Sequence, residues 1–300
     1  MWTADRWRDY ELIDASDGER LERWGDYTLV RPDPQIVWKD MRRSKLWGKA
    51  DGTYKRSSSG GGSWKNGTRL RSEWKISYDL VIGKKLTFVV KPTGFKHTGL
   101  FPEQAANWEW FSQLINSRVS EGQTVKVLNL FAYTGGATVA AAAAGASVCH
   151  VDAAKGMVAQ AKENAALSGL GSAPIRYIVD DCRKFVEREI RRGNRYDAVI
   201  MDPPSYGRGP SGEIWKLEEC IGDFVELASG VLSDDPLFFL VNSYTTGLSP
   251  SVVRYIIDTT DALKDGSTEC GELGLVVKQT GLALPCGSSA RWSREWPYRN

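Results

Sequence analysis

Four runs of β-branched and aliphatic residues in the middle of the chain each end in acidic residues or glycine. Such runs are typical of buried strands. A carboxylate accepts hydrogen bonds from the hydroxyl and amino groups of a ligand, and glycine lets a ligand approach the main chain closely. We therefore take these strand ends as the candidate binding and catalytic chemistry. They carry Tyr133-Thr134-Gly135-Gly136, Asp152, Asp180-Asp181 and Asp202-Pro203-Pro204-Ser205.

The first strand end is followed by a glycine turn and a run of alanines. Residues 125–130 predict a buried strand, and residues 137–144 predict a helix. Gly135 and Gly136 allow a sharp turn between them, and the free N–H groups at the start of the helix face a ligand. Glycines and a threonine interrupt the apolar segment 127–147, so it is too short for the roughly 20 apolar residues of a membrane span. We predict a ligand-binding turn, with a purely structural connection as the alternative.

Strands and helices alternate beyond this turn. The alternation implies right-handed crossovers and a parallel sheet, whose ligand sites gather at the carboxyl ends of the strands. Asp152 stands 16 residues beyond Gly136. In nucleotide-binding α/β folds an acidic residue roughly 20 residues beyond the glycine turn binds ribose hydroxyls, which predicts that role for Asp152. The patterns predict strands over 146–151, 175–179 and 196–201, and helices over 103–119, 153–168 and 182–192.

Composition limits the class of protein. Of the 300 residues, 42% are hydrophobic and 25% are charged, enough for one domain of roughly 200 residues and a smaller one. The first 20 residues lack the apolar stretch of a signal peptide, which predicts a cytoplasmic protein. The cysteines have neither the C-x-x-C spacing of metal sites nor the density of a disulfide framework, so we expect no metal and reduced thiols. They are Cys149, Cys182, Cys220, Cys270 and Cys286.

Four segments in order resemble a known family: NLFAYTGG, VDAAKGMVAQAKENAALSGL, DDCRKFV and YDAVIMDPPSYGRG. They are similar to the class I S-adenosylmethionine-dependent methyltransferases, specifically the group that modifies bases of large-subunit ribosomal RNA. The resemblance covers about residues 96–245. It implies S-adenosyl-L-methionine as cofactor and a Rossmann-like, mostly parallel sheet with an antiparallel C-terminal strand. Residues 272–278 and 281–285 are the candidates for the last two strands.

The resemblance implies cofactor contacts. The turn from Phe131 to Gly136 would hold the methionine part, Asp152 the ribose, and Asp181 the adenine amino group with Cys182 beside the ring. Residues 96–104 resemble the segment that covers the methionine end in this family. Asn129 stands where the family often has an acidic residue, so an amide oxygen would accept the hydrogen bond there. The expected set is Phe101, Gln104, Asn129, Phe131, Ala132, Tyr133, Thr134, Gly135, Gly136, Asp152, Ala153, Asp181, Cys182 and Asp202.

Asp202-Pro203-Pro204-Ser205 is the predicted catalytic element. Methyl transfer is an in-line displacement that needs alignment and exclusion of water, and two prolines hold the preceding carboxylate rigidly. Tyr206 is a candidate for stacking on an extruded base, with packing of its own loop as the alternative.

The residue that follows the fifth strand indicates which atom of the base accepts the methyl group. Relatives that form 5-methylcytosine use a cysteine just after the fifth strand, where this chain has Tyr244. This difference favours a base nitrogen as acceptor, since a nitrogen is already nucleophilic. We expect Cys286 to be a small buried hydrophobic residue and His150 to be packed in the core.

The N-terminal region has an uneven charge distribution. Residues 31–96 carry sixteen Lys or Arg and five Asp or Glu, whereas residues 1–30 carry four and eight. Cations neutralise phosphates and aromatic faces stack on unpaired bases, so this mixture suits single-stranded or looped RNA. The alternative is a small β domain with a tryptophan core and solvated cations. The tryptophans concerned are Trp38, Trp47, Trp64 and Trp74.

These observations predict two domains, a β-rich substrate-recognition domain over residues 1–95 and a methyltransferase domain over residues 96–300. The Ser/Gly-rich segment 57–63 is predicted to be a loop within the first, because strand-like sequence continues over 74–80 and 86–91. RNA is the expected partner, no membrane association is expected, and monomer and homodimer both stay open. A small molecule or protein is the alternative substrate. A nicotinamide-dependent oxidoreductase is disfavoured because the glycine turn reads T-G-G-A-T-V, where Gly-x-Gly-x-x-Gly would be expected.

Overall fold

The structure is a computed structural model that describes residues 1–57, 61–66, 70–94, 96–208 and 214–295. In the first 90 residues the described structure is mainly β, as predicted. Its strands are β1 (Trp2–Thr3), β2 (Tyr10–Ser16), β3 (Glu19–Trp24), β4 (Tyr27–Pro32), β5 (Gly52–Arg56), β6 (Gly62–Asn66), β7 (Trp74–Asp79) and β8 (Lys85–Val90), and a 3-10 helix spans Lys45–Lys49.

Strands β2 to β6 form one sheet in chain order, and β7 pairs with β8 in a separate antiparallel ribbon. The strands predicted over 74–80 and 86–91 are thus confirmed. Within the Ser/Gly-rich segment, residues 58–60 lie outside the described residues, and the end of the segment enters β6, which pairs with β5. The role of that segment stays a prediction.

From residue 102 onward helices and strands alternate. A 3-10 helix, Pro102–Gln104, leads into α1, and another spans Asp261–Leu263. The other elements are α1 (Ala105–Ser120), β9 (Lys126–Leu130), α2 (Gly136–Ala143), β10 (Ser147–Asp152), α3 (Lys155–Leu167), β11 (Ile175–Val179), α4 (Cys182–Arg191), β12 (Ala198–Met201), β13 (Tyr206–Arg208), β14 (Ile214–Lys216), α5 (Leu217–Ser229), β15 (Phe238–Ser243), α6 (Pro250–Thr259), β16 (Ser267–Val276) and β17 (Ala283–Ser293).

The central sheet has the strand order β1-β16-β17-β15-β12-β9-β10-β11. Strands β15, β12, β9, β10 and β11 are mutually parallel, whereas β17 is antiparallel to both of its neighbours. The Rossmann-like α/β fold with an antiparallel C-terminal strand is therefore confirmed. The order reverses between β9 and β12, which is where ligand sites form in open α/β sheets.

The predicted lengths of the last two strands were wrong. Strand β17 continues to Ser293 although its middle, Gly287 to Ser289, has low intrinsic β propensity. It lies between β15 and β16 and pairs with both along most of its length. This pairing overrides the local preference, and neighbouring sequence alone does not reveal it.

The core lies on both faces of the sheet. On one face α1 buries Trp108, Phe111, Leu114 and Ile115, as the helical spacing predicts. His150 of β10 is fully buried, which confirms that it is a core residue. Among the described residues, no helix has the length and apolar character to cross a bilayer.

The N-terminal strands contact the central sheet at several points. Strand β1 pairs in parallel with β16, and Val89 of β8 donates its backbone N–H to Asn164 Oδ1 of α3 at 2.9 Å. Arg31 of β4 donates from Nη1 to the backbone carbonyl of Lys96 at 3.1 Å. The domain boundary near residue 96 stays a prediction, but the chain on its two sides is joined by hydrogen bonds.

Candidate active site

A cleft opens at the carboxyl ends of β9 and β12, where the strand order reverses. Nine of the residues expected from the sequence line it: Phe101, Gln104, Asn129, Phe131, Ala132, Tyr133, Thr134, Gly136 and Asp202. Five other lining residues were missed: Leu100, Trp108, Ala137, Ile200 and Asn242. The signal for Asn242 was available, because it is a polar residue near the carboxyl end of a parallel strand.

The turn after β9 has an unusual backbone. Phe131, Tyr133 and Gly135 have φ values of 54°, 50° and 82°, in the left-handed region. Such conformations in non-glycine residues cost free energy and cluster at ligand sites. At Gly135 a Cβ would lie 2.7 Å from the Cβ of Ala161, so glycine is required there for its conformation and for space.

Asp152 connects this turn to the end of β10. Its Oδ2 accepts a hydrogen bond from the backbone N–H of Tyr133 at 2.8 Å, and its Oδ1 accepts one from Ala154 N–H at 2.8 Å. Each carboxylate oxygen keeps a further lone pair, so both remain able to bind ribose hydroxyls. The adjacent Ala153 is exposed at the strand end, beside the cleft and not among its lining residues.

Asp181 and Cys182 also lie beside the cleft and not in its lining. Asp181 caps α4, since its Oδ1 accepts the backbone N–H of Lys184 at 2.9 Å. Cys182 Sγ accepts the backbone N–H of Phe131 at 3.2 Å, and burial raises the pKa of this thiol. Cys182 thus supports the turn and Asp181 supports the start of α4, and their expected contacts with adenine stay predictions.

Asn129 is part of a buried polar chain beneath the cleft. Its Nδ2 donates to Thr138 Oγ1 at 2.9 Å, and that hydroxyl also pairs with His150 Nδ1 at 2.9 Å. With its amide nitrogen held by Thr138, Asn129 keeps its oxygen as an acceptor. Thr134 fastens the covering segment, because its Oγ1 donates to the backbone carbonyl of Gly99 at 2.6 Å.

The segment after β12 is held by contacts on both sides. Pro203 is buried, and the carbonyl of Pro204 accepts a hydrogen bond from Trp215 Nε1 at 2.7 Å. Ser205 Oγ accepts a hydrogen bond from Thr245 Oγ1 at 2.7 Å. Asp202 therefore precedes a rigid backbone and lies in the cleft.

Tyr206 is placed differently from the rest of the predicted catalytic element. It begins β13, which pairs with β14, and its side chain is 53% exposed. Asp202 lines the cleft, whereas Tyr206 is not among its lining residues. Stacking of Tyr206 on a base stays a prediction.

A family model described as S-adenosylmethionine-dependent methyltransferase matches residues 53–215. The chain belongs to this family. A solved structure of the SAM-dependent methyltransferase from Agrobacterium tumefaciens is 34% identical to this methyltransferase, with a TM-score of 0.88 over 98% of this chain and 93% of that one. A SAM-dependent methyltransferase structure from Streptococcus mutans shares the fold at 18% identity, with a TM-score of 0.73 over 96% and 76% of the two chains.

Two curated relatives of the methyltransferase carry the name ribosomal RNA large subunit methyltransferase K/L. That of Shewanella frigidimarina is 33% identical over 148 residues, which are 47% of this chain and 20% of that protein. That of Pseudoalteromonas atlantica is 40% identical over 120 residues, which are 40% and 16% of the two proteins. The methyltransferase thus matches a fifth or less of the length of these relatives.

The cleft fits the cofactor of this family, S-adenosylmethionine, which carries an α-ammonium and a sulfonium. Glu103 was not among the residues predicted from the sequence. It is only 2% exposed, and its Oε1 accepts a hydrogen bond from the Tyr244 hydroxyl at 3.1 Å. Its Oε2 is buried without a hydrogen-bond partner among the described residues. Burial, and then the charge of Glu103, raise the pKa of Asp202 to about 7. A buried and a half-buried carboxyl group with an unused acceptor suit a cationic ligand.

The signal that could have revealed Glu103 is its position in the covering segment. It stands between Phe101 and Gln104, both of which were expected near the methionine end. Its partner Tyr244 is 141 residues away in sequence, so only the fold shows that the two meet.

Proposed function

We infer that this methyltransferase transfers a methyl group from S-adenosylmethionine to a base of RNA, and that 23S ribosomal RNA is its substrate. The observation that carries the proposal is the position of Asp202, which is half-buried in a cleft that fits the methyl donor and precedes a rigid backbone. The names of the curated relatives support ribosomal RNA as substrate. Such a substrate would place the protein in the cytoplasm.

Several residues of the cleft would contribute to methyl transfer, each in a different way. Bound cofactor supplies an electrophilic methyl group. The Asp202 carboxylate would accept a hydrogen bond from an amino group or ring N–H of the base and orient its nitrogen, and the prolines would keep that carboxylate fixed. The rings of Phe101 and Tyr133, 5.6 Å apart, cover the cleft and would exclude water.

The N-terminal region supports RNA as partner through its exposed cations. Three of its tryptophans have bonded indole N–H groups: Trp38 to the carbonyl of Ala15, Trp47 to Asp14 Oδ2 and Trp64 to the carbonyl of Thr93. These half-buried rings are therefore partly structural, as the alternative interpretation states. The cations are exposed: Lys39, Arg42, Arg43, Lys45, Lys49, Lys55, Arg56, Lys65, Arg71 and Lys75.

The proposal is tested by binding of deproteinised total RNA at increasing salt, with filter retention as the measurement. If the cations contact phosphates, log Kd rises linearly with log salt concentration, and each phosphate contact contributes a slope of roughly 0.7 on single strands. Replacing Arg43 and Lys45 together by glutamine should lower that slope by about one to two. The matched control replaces Lys126 and Lys264 by glutamine, because both are exposed and Lys126 lies at the amino end of β9, opposite the cleft at its carboxyl end. Binding that is insensitive to salt would favour a small molecule or protein substrate.

A further inference from the structure

A second cleft, of about 410 Å³, lies beside the end of β15. Its walls come from five parts of the chain: Gln35 after β4, Tyr244 and Thr245 after β15, Ser249 at the start of α6, Glu272 of β16, and Ser288 of β17. Clefts of roughly 300 to 1,000 Å³ are typical of small-ligand sites. None of the residues expected to bind the cofactor lines this second cleft.

Two contacts join the second cleft to the methyl-transfer site. Thr245 of its wall donates the hydrogen bond to Ser205, three residues after Asp202. Tyr244 accepts a hydrogen bond from Gln104 Nε2 at 2.9 Å, and its ring lies 5.6 Å from that of Phe101. Phe101 and Gln104 line the cofactor cleft, whereas Tyr244 lines the second cleft. The two clefts therefore adjoin at Tyr244.

The lining of the second cleft indicates the chemistry of its ligand. It offers hydroxyl groups, an amide and one aromatic ring, and the described lining residues include no lysine or arginine. Hydroxyls and amides both donate and accept hydrogen bonds, which suits the edge of a base and its ribose. A phosphate would find no cation there, and one carboxylate, Glu272, would repel it. The lining therefore suits a nucleoside whose phosphates lie outside.

Tyr244 is held in one orientation. Its hydroxyl donates to buried Glu103 and accepts from Gln104, so both functions of the hydroxyl are used. Gly287 leaves room for the ring, because a Cβ at that position would lie 2.8 Å from it. A ring fixed from behind and half-exposed in front is a preformed stacking surface.

We propose that the second cleft receives the target nucleoside, that Tyr244 is its stacking surface, and that Glu103 is the positioning residue for that ring. This inference rests on the proposed function, since it requires an RNA base as methyl acceptor. It places base stacking at Tyr244 instead of at the exposed Tyr206. Tyr244 occupies the position of the cysteine in the 5-methylcytosine enzymes, and in this protein it would stack on the base.

The test measures methyl transfer from labelled S-adenosylmethionine to deproteinised total RNA, and cofactor affinity by equilibrium dialysis. Loss of one base-stacking contact corresponds to roughly 5- to 150-fold. We expect that decrease in kcat/KM for RNA with Tyr244→Ala, and cofactor Kd within about twofold of wild type. Tyr244→Phe keeps the ring and should lose less than Tyr244→Ala. Tyr255→Ala, on the exposed face of α6 with 71% exposure, is the matched aromatic control.

The positioning role of Glu103 is tested by its amide variant. Glu103→Gln keeps an oxygen for the Tyr244 hydroxyl, so it should retain the KM for RNA, whereas Glu103→Ala should raise it. A merely structural role would instead make both variants equally unstable.

Three results would overturn the inference. Transfer retained in Tyr244→Ala and lost in Tyr206→Ala would move stacking to Tyr206. Equal losses of cofactor affinity and transfer in Tyr244→Ala would assign Tyr244 to the cofactor. Wild-type protein that binds cofactor and labels no RNA would contradict the proposed function itself, and the inference with it. Failure of the proposed function would thus appear in the wild-type protein, whereas failure of the further inference alone would appear only in the Tyr244 variants.

Discussion

Asp152 accepts a hydrogen bond from the backbone N–H of Tyr133 at 2.8 Å, although the two residues follow different strands. The contact fixes the left-handed backbone of the turn against the end of β10. One carboxylate thus shapes the turn and remains available to a ribose. We therefore predict that Asp152 couples the fold of the turn to cofactor binding.

Replacement of Asp152 should weaken cofactor binding. Asp152→Ala removes one hydrogen bond to the turn, one to the Ala154 N–H and the acceptor for ribose, so we expect the Kd of S-adenosylmethionine to rise on the order of 10- to 100-fold. Asp152→Asn keeps one acceptor oxygen and should lose less. Isothermal titration calorimetry measures both, with Asp261→Ala as control because that side chain is 93% exposed. Unchanged affinity in Asp152→Ala would contradict the ribose assignment.

Gly135→Ala should destabilise the protein. The new Cβ would lie 2.7 Å from Ala161 and the residue would have a left-handed φ of 82°, a combination that costs about 1–3 kcal/mol. Gly156 of α3 is a matched control, since a Cβ there meets nothing within 4 Å. Gly156→Ala should therefore leave the free energy of unfolding unchanged or raise it. Urea unfolding curves compare the two, and equal stabilities would show that the turn is not constrained.

Methyl transfer should depend on pH through Asp202. Its pKa is raised to about 7, first by burial and then by Glu103, and the ionised form is the stronger acceptor of a hydrogen bond from the base. The rate should accordingly rise as pH increases through about 7. Glu103→Gln removes one source of the shift, so the profile should move to lower pH. Single-turnover rates at saturating cofactor, from pH 5.5 to 9, provide the measurement; coincident profiles would show that Glu103 has no influence.

The buried pair of Arg31 and Glu22 should contribute strongly to stability. Glu22 is fully buried, and Arg31 binds it through Nε at 2.6 Å and Nη2 at 2.7 Å. Arg31→Met leaves a buried carboxylate with one fewer partner and should cost about 3–5 kcal/mol. Arg254→Ala, which breaks the exposed pair with Asp258, should cost less than about 1 kcal/mol. Chemical denaturation measures the free energy of unfolding of both variants. Similar losses in the two would contradict a strong contribution of the buried pair.

The same pair gives the stability a pH dependence. Despite the effect of burial, Arg20 and Arg31 lower the pKa of Glu22 to about 2, from an ordinary value of 4.5. A lowered pKa stabilises the folded state above the unfolded value, so this contribution is complete above about pH 5 and is lost as pH falls toward 2. Glu22→Gln should flatten the decrease in Tm over that range. A wild-type Tm that is constant from pH 5 to 3 would disagree with this assignment.

Sequence predicted the parallel half of the fold well and the site in part. The strand over Ile175–Val179 and the start of the helix at Cys182 agree with the structure because local hydrophobic runs and a capping Asp181 define them. The length of β17 was not predictable, since pairing with two distant strands maintains it. Glu103 was missed for a similar reason: its partners Tyr244 and Asp202 come from the ends of two other strands.

The most direct test of the account is transfer of labelled methyl from S-adenosylmethionine to ribosomal RNA, with large- and small-subunit RNA separated before counting. Free RNA and ribosomal particles are each supplied as the substrate. Asp202→Ala is the control, and circular dichroism checks its fold. The account predicts label in large-subunit RNA that is lost in Asp202→Ala. Wild-type protein that binds cofactor but labels no RNA, or label that persists in Asp202→Ala, would contradict it.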